Sequence, residues 1–255
     1  MDYIAIISDL HGNIPALEAV LRDIKRRNIS RIFCLGDLVG KGPHAEKVVD
    51  ICHDVCDVTV KGNWDDYIIR DTENPTLLWH QQLLGTERLD YLRHLPHTVD
   101  FWMSGRRVRL FHASQQSVHY RVRMDDPREK LLEMFTNTEF TGNTFVPDVV
   151  GYGDIHRAYV MNFQQQTLFN VGSVGNPLDI TQASYAILEG TYNSQRAETF
   201  AVHLIRVPYD IELAIKQAAE ENMPGLEPYA KELRTAQYRG VAAANARAAA
   251  GSHTS

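Results

Sequence analysis

Residues 61–66 read KGNWDD, an amide, a large aromatic and two carboxylates directly after the apolar run Val58-Thr59-Val60. Four other stretches are built alike. Ser8-Asp9-Leu10-His11-Gly12-Asn13 ends the apolar run at 2–8. Gly36-Asp37 follows the run at 30–35, His112 follows 107–111, and Gly153-Asp154-Ile155-His156 follows 148–152. One His or Asp at a strand end is commonly a satisfied surface or core residue, and one Gly there a plain turn. Five polar termini in one chain point elsewhere, because α/β sheets carry their sites at the carboxyl ends of strands. Asp9, His11, Asp37, Asn63, His112, Asp154 and His156 can converge on one rim. Without compensation, so many carboxylates and imidazoles are costly to gather. Two divalent cations resolve the cost: a carboxylate bridges them, and an amide oxygen and imidazoles complete the shells. Mixed oxygen and nitrogen donors without thiolate suit Mn²⁺, Fe²⁺, Zn²⁺ or Mg²⁺.

The elements that must position these residues follow from periodicity. Residues 2–8 read as a buried strand. Residues 13–28 have helical spacing, with Ile14, Leu17, Val20, Leu21 and Ile24 on one side, Asn13 as N-cap and Pro15 in the first turn. A strand at 30–35, a helix at 43–55 and a strand at 57–60 complete a strand–helix–strand–helix–strand run, which implies a parallel sheet with right-handed crossovers. Residues 64–95 read as inserted helices broken at Asn74-Pro75 and Gly85. Strands at 99–103 and 107–111 flank a turn at Ser104-Gly105. Residues 113–147 are polar, with a helix at 127–135, and read as an excursion over the site. Strands at 148–152, 157–163, 167–171, 183–189 and 199–206 read as an antiparallel meander. Helices at 210–221 and 227–235 close a domain spanning 1–238, and the Ala-rich stretch 239–255 reads as a disordered tail.

Composition narrows the function. The net charge of −6 argues against a stable nucleic-acid complex, which needs a basic face, but admits a small anionic ligand if the site supplies positive charge. No apolar run approaches the ~20 residues of a membrane span. The N-terminal MDYIAIISDL reads as a strand and not as a signal peptide. Three cysteines, Cys34, Cys52 and Cys56, suit a reducing compartment, and the cytoplasm is the expected location. Cys52 and Cys56, four apart, read as one core-facing helix surface in preference to metal ligands. A homo-oligomer is compatible with the sequence, but no residue specifies one.

The series Asp-x-His, Gly-Asp, Gly-Asn, His, Gly-x-x-His resembles the calcineurin-like metallophosphoesterase superfamily, from Asp9 to about Pro177. Asn170-Val171-Gly172-Ser173-Val174-Gly175-Asn176-Pro177 is similar to the Asn-Pro-Gly-Ser loop of its small bacterial and archaeal phosphodiesterase branch, with Val171 in place of proline. The resemblance implies an α/β, four-layer α-β-β-α sandwich of two packed mixed sheets. It implies that Asp9, His11 and His156 hold one metal, that Asp37 bridges, and that Asn63, His112 and Asp154 hold the second. It further implies that a hydroxide between the ions attacks phosphorus in line, with Asp37, Asn63 and His112 in the catalytic group. Apart from the resemblance, Gly12 and Asn13 start the first helix beside these residues, so its N-terminal N–H groups and the Trp64 ring are the expected substrate contacts.

Two positions depart from the family pattern. The family usually has His after Gly-Asn, thought to protonate the leaving group; here it is Trp64, followed by Asp65. An indole donates a hydrogen bond but is no acid, and a general acid contributes ~10²–10⁴ in rate. The loss matters least where the leaving group departs as an anion, which favours phosphoanhydrides such as dinucleoside polyphosphates, or activated aryl diesters. The indole either stacks on a base or packs the inserted helices on the rim. Asp154 stands where Gly-His-x-His has its first His, which predicts a harder second site favouring Mn²⁺ or Mg²⁺. The expected protein is a phosphodiester or phosphoanhydride hydrolase with two divalent ions, Mn²⁺ first, acting on a small phosphorylated substrate such as a nucleotide. The alternative is a catalytically weak member serving as a scaffold for a protein partner.

Weaker signals remain. Arg121 and Arg123 form a phosphate clamp or, in the plainer reading, a solvated strand edge. Trp79-His80 lines a cap or packs a core. Lys41, in the turn after Asp37, is within reach of substrate.

Overall fold

A computed structural model describes residues 1–238; the expected tail at 239–255 lies outside the described residues. The order is β1 (Asp2–Ile7), α1 (Ile14–Arg26), β2 (Arg31–Cys34), α2 (Ala45–Val55), β3 (Val58–Thr59), α3 (Asn63–Ile68), α4 (Pro75–Arg93), β4 (Thr98–Met103), β5 (Arg106–Phe111), α5 (Arg128–Glu133), β6 (Val149–Tyr152), β7 (Tyr159–Phe163), β8 (Gln166–Asn170), β9 (Ala183–Gly190), β10 (Ala201–Val207), α6 (Ile211–Glu220) and α7 (Leu226–Thr235).

The strands form two mixed five-stranded sheets, ordered β10-β9-β1-β2-β3 and β4-β5-β6-β8-β7. In the first, β1, β2 and β3 are parallel, while β9 pairs antiparallel with both β1 and β10. In the second, β5, β6 and β8 are parallel, with β4 and β7 as antiparallel edges. The second half is therefore not the antiparallel meander its strand spacing suggests. β9 and β10 return to the first sheet, and β5–β6 and β6–β8 run parallel because the long 113–147 segment and β7 serve as crossovers.

Strand β1 is apolar on both faces because both are covered. Ile4 and Ile6 join Phe33, Leu35, Phe101, Val108, Leu110 and Phe169 between the sheets. Ala5 and Ile7 meet Leu17, Val20, Ile24, Val48 and Cys52 of the helical layer. Full burial of each such side chain contributes about 1.5–3 kcal/mol, so the inter-sheet cluster is what keeps the two rims in register. Asn13 caps α1, accepting from the Ala16 N–H at 3.2 Å. Helix α4 carries the expected break, with Gly85 at φ 66°. The three cysteines are unbridged, with Cys52 on the buried face of α2.

The 113–147 segment does not simply hover over the site. Val122, Leu131, Met134 and Phe135 are buried against Phe111, Val150, Tyr152 and Leu168 on the outer face of the second sheet, forming the fourth layer. Its far end is tied by the buried Arg109, which pairs with both oxygens of Asp100 (2.8 and 2.7 Å) and donates to Asn137 Oδ1 and the Phe145 carbonyl.

Candidate metal centre

The parallel strands of the two sheets end on one shared rim. From the first sheet come Asp9 and His11 after β1, Asp37 after β2 and Asn63 at the start of α3. From the second come His112 after β5 and Asp154 and His156 after β6. Five of the seven, Asp9, His11, Asp37, Asp154 and His156, hold left-handed backbone with φ between 48° and 62°. Asp and His tolerate that region better than branched residues do, and there it turns consecutive side chains inward. Two glycines let the loops touch. A Cβ on Gly62 would stand 2.2 Å from the Asp37 nitrogen, and one on Gly153 would stand 2.2 Å from Ser8 Oγ.

The loops are locked by hydrogen bonds across the sheets. Asp154 N–H donates to Asp9 Oδ2 (3.1 Å), Gly153 N–H to the His112 carbonyl (2.8 Å), and Val174 and Gly175 N–H to the Ser8 and Asp9 carbonyls (both 2.9 Å). Asp65 accepts from three backbone N–H groups: Gly62 (2.8 Å), Asp37 (2.8 Å) and Leu38 (3.0 Å). It thereby clamps the ends of β2 and β3 together.

The imidazoles share one arrangement. Nδ1 of His11 donates to the Val39 carbonyl (2.9 Å), that of His112 to Leu35 (2.7 Å) and that of His156 to Asn176 (2.5 Å). Each bond fixes the tautomer and frees Nε2, as outer partners of metal-binding histidines do. The free nitrogens point inward. His156 Nε2 lies 3.1 Å from Asp9 Oδ1 and 3.2 Å from His11 Nε2; His11 Nε2 lies 3.6 Å from Asp37 Oδ2, and His112 Nε2 3.5 Å from Asp37 Oδ1. Ligand atoms within 4.8 Å of one another form two adjoining groups, Asp9–His11–His156 and Asp9–Asp37–His112.

The electrostatics are those of a buried cluster of coupled charges. Burial alone would raise the Asp9 carboxyl, but His156, His112 and His11 outweigh it and hold it well below the usual range. Burial, with Asp9 and Asp65 nearby, pushes Asp37 well up. Burial opposes charge on His112, yet Asp37, Asp9 and Asp154 prevail and raise it to about 9. Burial, Lys41 and His156 push His11 well down.

A family model for the calcineurin-like phosphoesterase superfamily domain matches residues 3–192. The chain belongs to that superfamily. The calcineurin-like chain is 31% identical over 236 residues to the uncharacterized protein MJ0912 of Methanocaldococcus jannaschii, covering 87% of this chain and 93% of that one. It is 31% identical over 101 residues to the phosphodiesterase YfcE of Escherichia coli K12, covering 34% of this chain and 53% of YfcE. A metallophosphoesterase structure from Sphaerobacter thermophilus superposes with a TM-score of 0.73 at 27% identity, covering 92% of this chain and 99% of that one.

Divalent metals are implied for this superfamily, and the residues present fit them. Asp9 Oδ1, Asn63 Oδ1 and His112 Nε2 are buried without any hydrogen-bond partner. Orphaned buried polar atoms are costly and rare, and here all three are ligand atoms suited to a divalent ion.

Of the expected site residues, the structure gathers all seven ligand types on the rim. Asn13 is fully buried, and its side-chain amide is committed to the Ala16 N–H and the Gly175 carbonyl (2.8 Å), so its side chain holds the loop. Trp64 is half-buried, its ring over Gly40 and edge-on to His11 at 6.2 Å. Trp79 packs beside α6 and α7, and His80 is buried. Lys41 donates to Asn176 Oδ1 at 2.7 Å.

Two contacts were not placed by the sequence reading. Arg121, read as half of a phosphate clamp or as a solvated edge, forms a fork with Asp154, Nε to Oδ2 at 2.7 Å and Nη2 to Oδ1 at 2.6 Å. Glu232 of α7 is fully buried and accepts from Asn176 Nδ2 at 3.3 Å. Its signal was present: Glu232 shares the buried stripe of α7 with Tyr229 and Leu233, an odd place for a carboxylate with no task.

Proposed function

We propose that this protein is a divalent-metal-dependent phosphoesterase hydrolysing phosphodiester or phosphoanhydride bonds of a small phosphorylated substrate, with nucleotides and dinucleoside polyphosphates as the favoured class. The observation that carries it is the set of buried ligand atoms left without a hydrogen bond, Asp9 Oδ1, Asn63 Oδ1 and His112 Nε2, among three imidazoles whose other nitrogens are already fixed. In this reading Asp9, His11 and His156 hold one ion, Asp37 faces both, and Asn63 and His112 hold the other. Bound together, two such ions supply acidified water and neutralise phosphoryl oxygens. The chain's own residues hold that centre in register from both sheets and exclude bulk water from its floor. Mn²⁺ is the proposed native ion, the compartment is the cytoplasm, and residues 1–238 act as one unit. No helix among the described residues is long and apolar enough to cross a membrane.

The indole at position 64 supports leaving groups that need no proton. The test is hydrolysis by metal-stripped protein reloaded with Mn²⁺, on bis-p-nitrophenyl phosphate, p-nitrophenyl phosphate, an alkyl monoester and a dinucleoside tetraphosphate. Turnover of anhydride and aryl esters, absent with the alkyl ester and abolished by Asp37→Asn, is expected. No turnover with both ions bound would turn the reading to a protein-binding scaffold.

A further inference from the structure

We propose that Asp154 is an anchor and not a metal ligand, and that the guanidinium it holds, Arg121, receives a phosphate group of the substrate where the family's imidazole is missing at Trp64. This rests on the phosphoesterase reading above.

Asp154 is nearly fully buried, and both of its oxygens are taken. Oδ2 accepts from Arg121 Nε; Oδ1 accepts from Arg121 Nη2 and from Asn63 Nδ2 at 3.0 Å. Fork pairs of this kind are among the strongest side-chain bonds, and separating one that is buried leaves a costly lone charge. Both clusters of converging ligand atoms form without Asp154, which comes no nearer to His112 Nε2 than 4.0 Å. The bond to Asn63 has its own purpose. With the amide nitrogen held by Asp154, the carbonyl Oδ1 is left buried without a hydrogen bond, free to serve as a ligand. The carboxylate at 154 thus orients a ligand and anchors a cation. Its charge is already balanced by Arg121, which removes the reason to expect a harder second site.

Arg121 is built into place. Its carbonyl accepts from Lys130 Nζ at 3.0 Å, and the next residue, Val122, is buried with its carbonyl held by the Tyr152 hydroxyl at 3.0 Å. The side chain is 40% exposed. Of a guanidinium's five N–H groups, two face Asp154 and three remain for a ligand. A planar, permanently charged group suits phosphate oxygens but gives up no proton. The consequence for hydrolysis is direct. Water oxygen bonds to phosphorus, the bridging P–O bond breaks, and the leaving oxygen keeps the electron pair. It departs as an anion beside Arg121, and the proton of water passes to solvent. That balance suits a phosphate leaving group and disfavours an alkoxide.

The experiment uses Mn²⁺-loaded protein and two readouts besides activity: Mn per chain by elemental analysis, and the affinity for inorganic phosphate by calorimetry. Arg121→Gln, and Asp154→Asn, whose amide oxygen still accepts from Asn63 Nδ2, are each expected to keep wild-type Mn content and to weaken phosphate about 10- to 100-fold, the scale of a lost charge-assisted pair. Arg121→Lys, with charge but no fork, should fall between. Loss of one Mn equivalent in Asp154→Asn, or unchanged phosphate affinity in Arg121→Gln, overturns the proposal. If phosphate binding fails in Arg121→Gln while the wild type turns over none of the ester panel, the anion site stands and the hydrolase reading falls. A wild type that takes up no Mn overturns both.

Discussion

The backbone N–H of Trp64 donates to Oδ1 of Asp37 at 2.8 Å. Position 64 therefore serves the centre through its main chain, whatever its side chain. The indole lies over Gly40, where an added Cβ would stand 2.3 Å from the ring. Trp64→Ala should keep Mn content near wild type while lowering stability by roughly 2 kcal/mol, less than a fully buried aromatic would cost. Trp64→His restores a proton donor and should raise turnover of an alkyl monoester relative to the anhydride, by up to the ~10²–10⁴ of a general acid. An unchanged ratio of the two rates would show that the indole is not standing in a proton donor's place.

Asp65 makes the sharpest stability prediction. Asp65→Ala strands three buried N–H groups, of Gly62, Asp37 and Leu38. At about 1–3 kcal/mol for each unmet donor, the loss should exceed roughly 3 kcal/mol by urea denaturation, with Mn binding lost in step. A variant as stable as wild type would mean that water replaces the carboxylate at no cost.

Glu232 links α7 to the centre through Asn176, whose backbone carbonyl orients His156. Glu232→Ala should weaken Mn binding, measured by titration, although it lies far along the chain from any ligand residue. A lowered melting point with wild-type Mn affinity would reduce α7 to packing.

His80 sets a pH limb. Burial lowers its pKa from 6.5 to about 4, and its Nδ1 has no partner. The unfolded chain takes up the proton first, so this contribution to stability is complete above pH 6.5. It is lost as pH falls toward about 4 and is constant below. Between pH 7 and pH 5 the loss is about 2 kcal/mol. His80→Leu should flatten that limb in denaturation midpoints; an equally steep limb would assign it to other groups.

Metal should appear as stability. Ions that bind only the folded chain add RT ln(1 + [L]/Kd), about 1.4 kcal/mol per ion for each tenfold rise beyond Kd. The melting temperature of the wild type should climb with Mn²⁺, and that of Asp37→Asn should climb less. Parallel curves would remove Asp37 from the centre.

What could be read from sequence divides along physical lines. β1, β2 and α1 were legible because burial imposes a period that the residues repeat. The seven rim residues were legible as neighbours because each stands next to a strand end. The partnership of Arg121 with Asp154 was not, because a separation of 33 positions leaves no periodic trace of a contact made across the rim. Nor was the parallel pairing of β6 with β8: alternation along a strand reports which faces are buried, not the direction of its neighbour. The Asn13 cap was legible, whereas the bond of its side-chain nitrogen to Gly175, 162 residues away, was not.

The candidate centre takes ligands from both sheets, and His11 and His156 meet across 145 residues of chain. Contacts so distant in sequence carry the largest loop-closure cost and form only once both sheets have docked. Ions seated there would be absent from a folding transition state that precedes docking, and would then leave the refolding rate unchanged and act on unfolding alone. For such a protein, metal loss is felt first as a shortened lifetime of the native state.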